Sequence, residues 1–312
     1  MVRGGKRRLA ARRGQLPAVL SRFAHFAAID WSGAAGERHK GIAVAICGAG
    51  PSAPALVAPG QRWSRREIVE WLLHALPTDT LVGLDLGISL PFADCGAFFP
   101  GWSASPPDAR ALWALVDETC RDDPHLAATA FVDHLEASRY FRRHGGREGE
   151  RFHHRDATHR RGRFRVTEQA QERMGCKPYS NFNLVGAAQV GKSSLTGMRV
   201  LRRLDGRLPV WPVDPLPPRG SVVVEIYTAI AAMAAGRAAS RSKMRSYEEL
   251  NAALAALGSS SVRGRGALDD HRADALLAAA WLRANAARPE LWQPDGMTRS
   301  VAATEGWTFG VA

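Results

Sequence analysis

TLVGLDLGISL, residues 80–90, is an apolar run whose only charge is Asp85. It reads as a buried strand, stopped by Pro91. HFAAID (25–30) and GSVVVEIYTAI (220–230) repeat the pattern, each with a single carboxylate, Asp30 and Glu225. An ionised carboxylate taken out of water without a partner costs several kcal/mol or shifts its pKa. One such acid is readily explained as a strand end that reaches water or caps a turn. Three of them, in strands able to share one sheet, point to a common cation.

Working outward from residue 80, SRREIVEWLLHAL (64–76) has a Ser N-cap, Glu67 at the third helical position and helically spaced apolar residues, the signature of a capping-box helix. GIAVAIC (41–47) and ALVAP (55–59) read as two more strands, so the chain opens with three strands, a helix and a fourth strand. Beyond Pro91, segments 107–120, 124–141 and 194–204 look helical, 142–165 looks like a loop, and the Pro cluster 209–218 is a stiff connector. Residues 247–257 and 267–286 are helical around a loop at 258–266. The order of elements predicts an α/β domain over residues 23–288 with a mixed sheet. A large, partly helical insertion, about 91–219, separates its fourth and fifth strands, and a tail over 289–312 packs back through Trp292, Trp307 and Phe309.

The last helix, ALDDHRADALLAAAWLRANA, supplies a fourth acid. Asp269 and Asp270 fall in its first turn, where the dipole favours carboxylates. Asp274 lies a turn further in and begins an apolar run, so capping explains it poorly; His271, three residues earlier, shares its edge of the helix. Asp30, Asp85 and Glu225 facing Asp274 would form a cage of hard oxygen ligands suited to Mg²⁺ or Mn²⁺. Two such ions ~3.5–4 Å apart suit phosphodiester hydrolysis, with His271 taking or relaying a proton.

IDWSG, GLDLGISLP, NLVGAAQVGKSSLTGMRVLRRL, VEIYTA and DDHRADALLAAA occur in that order. The ordered set resembles the family catalogued as domain of unknown function 429, predicted nucleases of the ribonuclease-H fold, over roughly residues 24–286. The final helix also resembles that of Holliday-junction resolvases, in which an H-x-x-D pair contributes to a metal site. The resemblance implies a ribonuclease-H-like sheet, a first-strand acid at Asp30, a fourth-strand acid at Asp85 and a last-helix acid at Asp274, with Glu225 as an additional acid. It implies a hydrolase, a nuclease acting on DNA or RNA.

A rival motif lies in the middle of the chain. GAAQVGKS (186–193) satisfies G-x-x-x-x-G-K-[ST], in which Lys192 would reach the outer phosphates of a nucleotide and Ser193 would ligate Mg²⁺. The lead-in YSNFNLV is a mediocre strand, and no partner strand ends in Asp. Under the nuclease reading Gln189, Lys192, Arg199 and Arg165 contact substrate phosphate instead. Arg165 and Glu168 also form an ion pair that closes the preceding loop. A third reading is a nucleic-acid-binding module without catalysis.

Composition narrows the classes. Of 312 residues, 46% are apolar and 23% charged, the balance of a globular protein. The net charge of +12 is concentrated in residues 1–22 and 139–165, each a local +7, which leaves the rest of the chain at −2. The first reads as a disordered basic arm. The second, with His144, His153, His154 and His159, reads as a basic loop rather than a zinc site, and its Tyr140, Phe141, Phe152 and Phe164 offer stacking surfaces for nucleic acid. Four scattered cysteines without a CxxC pair exclude a disulfide scaffold or zinc ribbon and suit a cytoplasmic protein. The longest uncharged stretch, 41–60, is broken by three prolines, which excludes a membrane helix.

Overall fold

The computed structural model describes residues 22–153, 161–186, 189–238 and 243–312. The basic arm expected over residues 1–22 lies outside them except for Arg22. The apolar runs read as strands form β1 (His25–Asp30), β2 (Ala43–Gly48), β3 (Ala55–Leu56) and β4 (Thr80–Asp85), with β5 (Val210–Trp211) and β6 (Val222–Glu225) following later. They build one six-stranded mixed sheet in the order β3-β2-β1-β4-β6-β5. β2 runs antiparallel to both β1 and β3, whereas β1, β4, β6 and β5 run parallel.

Helices cover both faces of the sheet. Ser64 caps α1 (Arg65–Glu70) through the expected box with Glu67, and the chain continues into a wider turn over Trp71–Ala75. Next come α2 (Ala109–Thr119), α3 (Thr129–Asp133), α4 (Val166–Arg173) and α5 (Val190–Leu204). α1, α2 and α5 pack with Ile29, Val82 and Leu84 in the core of one face. α6 (Thr228–Ala234), α7 (Tyr247–Ala256) and α8 (Asp270–Asn285) pack with Ala28, Leu81 and Val224 on the other. Ala273–Leu282 of α8 are buried without interruption, because the alanine-rich run lets the helix lie close against β1 and β2. α9 (Arg299–Thr304) belongs to the tail, whose Trp292, Trp307 and Phe309 are buried as expected.

Several boundaries differ from the sequence reading. The helix expected over 124–141 is broken into two 3₁₀ turns around α3, because Pro124 is followed by His125 and Leu126 in left-handed conformations. The Pro-rich connector contains β5, kept to two residues between Pro209 and Pro212. The strand expected over 220–230 ends at Glu225, and α6 begins at Thr228. Val166–Arg173, unassigned in the sequence reading, is helical. Among the described residues no helix is long and apolar enough to cross a membrane.

Candidate active site

β1 and β4 run parallel with Asp30 paired in register to Asp85, so both acids emerge on the same face at the C-terminal ends of adjacent strands. That face is the one covered by α8. The helix starts where Asp269 accepts the backbone N–H groups of His271 and Arg272, confirming Asp269 as the cap. One turn in, buried Asp274 faces the strand acids, and His271, three residues before it, holds Asp30 Oδ2 at 2.5 Å through Nδ1.

The three carboxylates repel one another. Burial, then the charges of Asp30 and Asp274, push the Asp85 carboxyl well above the usual range, and a carboxyl–carboxyl hydrogen bond with Asp30 pushes the same way. Burial and Asp30 raise Asp274 to about 6. Counter-charge is sparse. Lys243 Nζ donates to Asp274 Oδ2 at 3.0 Å, and the bond to Asp30 raises the pKa of His271. Thr228, at the start of α6, donates its N–H and its hydroxyl to Asp85 at 3.3 and 3.1 Å. Neither Lys243 nor Thr228 stood out in the sequence. Thr228 lies in the VEIYTA motif, where a hydroxyl just past a strand end was the available signal, but no pattern around Lys243 marks it.

Glu225 does not join this group. It pairs in register with Leu84, one residue short of Asp85, and so projects from the opposite face. Arg165 grips it with Nη1 to Oε2 at 2.8 Å and Nη2 to Oε1 at 2.6 Å. The Thr308 hydroxyl and the Ile88 N–H complete its shell. Glu225 is therefore corrected from metal ligand to anchor of a buried ion-pair network. Arg165 is corrected with it. Its remaining donors go to Glu168 and the Glu305 carbonyl, which realises the expected pair with Glu168 but leaves nothing for a substrate.

A cleft of about 590 Å³ opens where β1, β4 and β6 end, lined by Asp85, His271, Tyr179, Gln189, Lys192 and Ser193 among others. Lys192 and Gln189 thus reach the site as expected. The loop after β1 crosses the first turn of α5 so tightly that a Cβ on Gly33 would lie 2.5 Å from the backbone of Lys192 and Ser193. The geometry is poor for a nucleotide-binding P-loop. No strand leads into α5 among the described residues, and the amides of Gly191 and Lys192 are already bonded to the Asn183 and Gln189 carbonyls. Arg199 is corrected from substrate contact to core residue: it is 1% exposed, bonded to Asp117 and to the carbonyls of Asp123 and Ala127.

The arginine-rich segment borders this cleft through Arg165 and the residues that follow it, yet most of its described arginines are neutralised by carboxylates. Arg139, Arg142, Arg143, Arg151, Arg161, Arg163 and Arg165 each pair with a carboxylate. Tyr140, Phe141, Phe152 and Phe164 are buried, so they form core rather than stacking surfaces. His153 pairs with Glu148, and His154 and His159 lie outside the described residues. Among the described residues no three His, Cys, Asp or Glu side chains are gathered, as they stand, into a set that would hold a metal ion. Compared with protein-family models, curated proteins and solved structures, the chain matches none.

Proposed function

We propose that the chain is a divalent-cation-dependent nuclease with a ribonuclease-H-like sheet, akin to the predicted nucleases its motifs resemble. The observation that carries this reading is the in-register pair Asp30–Asp85 at adjacent parallel strand ends, faced by Asp274 of α8. The order β3-β2-β1-β4-β6 with β2 antiparallel supports the fold assignment. Asp30, Asp85 and Asp274 would hold Mg²⁺ or Mn²⁺. The donor chemistry fits, because three carboxylates face one another, Asp85 and Asp274 are held above their usual range, and among the described residues Lys243 and His271 are the only basic side chains bonded to them. Bound there, the cation supplies Lewis acidity toward a phosphodiester and activates water.

The chain's own groups divide the remaining work. Asp30 fixes the His271 ring through Nδ1, which leaves Nε2 as the atom that exchanges a proton. Lys192 and Gln189 line the cleft beside Asp85, where they meet substrate phosphate. The test is hydrolysis of labelled single-stranded, duplex and branched DNA and RNA with Mg²⁺ or Mn²⁺. Asp30→Asn and Asp85→Asn are expected to lose about 10²-fold or more of the rate while remaining folded. Wild-type rates in Asp30→Asn, or no hydrolysis of any of these substrates, would overturn the reading.

A further inference from the structure

A second cleft, of about 350 Å³, lies beside the acid cluster. Ala43, the cross-strand partner of Asp30, lines it, so the cleft sits one strand out from that acid. Lys40, Arg62 and Arg272 also line it; all three are exposed, and none has a carboxylate partner among the described residues. The one acid on its wall, Asp269, already caps α8. This is the reverse of the arginine-rich segment, where nearly every described guanidinium is neutralised. Unpaired cations converging on one hollow create a local positive potential that attracts an anion.

The hollow adjoins the candidate active site. Asp269 and Arg272 flank His271 in sequence, and Lys40 and Ile42 flank Gly41. A Cβ on Gly41 would stand 3.3 Å from Cε1 and Nε2 of His271. The imidazole thus meets Asp30 through Nδ1 and lies on its Cε1–Nε2 edge against Gly41, the residue between the Lys40 and Ile42 that line the second cleft.

We propose that Lys40, Arg62 and Arg272 form a phosphate subsite that holds the polynucleotide backbone next to the bond being cut. The inference rests on the nuclease reading and deepens it. The contacts are to backbone charge, so they raise affinity for every sequence alike.

The experiment measures binding of a fluorescent single-stranded oligonucleotide of about 30 nucleotides by anisotropy across a salt series. Every protein carries Asp30→Asn to prevent cleavage. Arg62→Glu/Arg272→Glu is compared with Arg202→Glu/Arg288→Glu, which makes the same change in net charge at exposed arginines paired with Asp205 and Glu290. The first pair is expected to weaken binding about ten-fold or more. It should also flatten the slope of log K against log salt by about 1.4, the value for two lost single-strand phosphate contacts. The second pair should do neither. Equal effects of the two pairs, or no effect of the first, overturn the subsite, as does a parent protein that fails to bind. Hydrolysis by the wild-type chain, read separately, judges the nuclease reading by itself.

Discussion

Asp85 and Glu225 end neighbouring strands, each the only charge in an apolar run, and they meet opposite fates. Glu225 leaves one face of the sheet into a shell of donors: a two-pronged guanidinium, a hydroxyl and a backbone N–H. Asp85 leaves the other face toward two more carboxylates, with Thr228 as its donor. The first arrangement is what a buried charge needs in order to be structural. The second leaves like charges unresolved, which has a stability cost and is the arrangement on which the proposed function rests. A carboxylate in a strand is thus informative only together with what meets it.

The largest effect should come from breaking the satisfied side. Arg165→Met leaves Glu225 and Glu168 buried without their cation and is expected to cost about 3–5 kcal/mol of unfolding free energy by urea titration. Burial already raises Glu168 against the pull of Arg165, and Glu225 adds to the rise. An Arg165→Met protein as stable as wild type would remove the contrast between the two clusters.

On the unsatisfied side the signature is pH. Asp274 has a folded-state pKa of about 6 against an ordinary value of 3.8, so the folded protein binds this proton more tightly than the unfolded chain. Its favourable contribution is present below about pH 4 and is lost as pH rises through about 6. Between those limits wild type should lose on the order of 3 kcal/mol relative to Asp274→Asn, since each pKa unit is worth about 1.4 kcal/mol. A pH-independent difference between the two proteins would mean that Asp274 is not strained. A bound cation should act in the opposite sense above pH 7. Mg²⁺ or Mn²⁺ at about 100 times its Kd is expected to stabilise wild type by about 2.7 kcal/mol and Asp30→Asn far less, read as a rise in Tm.

The sequence carried the acids but not their facing. Asp30, Asp85 and Asp274 were legible because a lone charge in an apolar run stands out by itself, and Asp274 could be separated from the capping Asp269 by one helical turn. Glu225 failed on register. Sheet facing alternates every residue, and no feature of SVVVE reveals that its acid pairs with Leu84 rather than Asp85. Arg199 failed for a related reason, because its partner Asp117 is 82 residues away and meets it only once α2 and α5 pack together. The aromatic residues of the basic segment resemble stacking platforms in sequence, yet all four are buried and Tyr140, Phe141 and Phe152 belong to the core of one sheet face.

The smallest effect isolates the hydroxyl that Asp85 does have. Thr228→Val keeps the side-chain shape and the backbone N–H but deletes the Oγ1 donor, 3.1 Å from Asp85 Oδ2. Above the raised Asp85 pKa, a lost bond to a charged acceptor should cost about 1.5 kcal/mol, the low end for such bonds. As pH falls through the raised Asp85 pKa, the acceptor becomes a neutral carboxyl and the cost shrinks toward that of an ordinary hydrogen bond. Paired urea unfolding of wild type and Thr228→Val at high and low pH reads this directly. A cost that stays constant, or grows as the pH is lowered, would place the perturbed proton elsewhere in the cluster and not on Asp85.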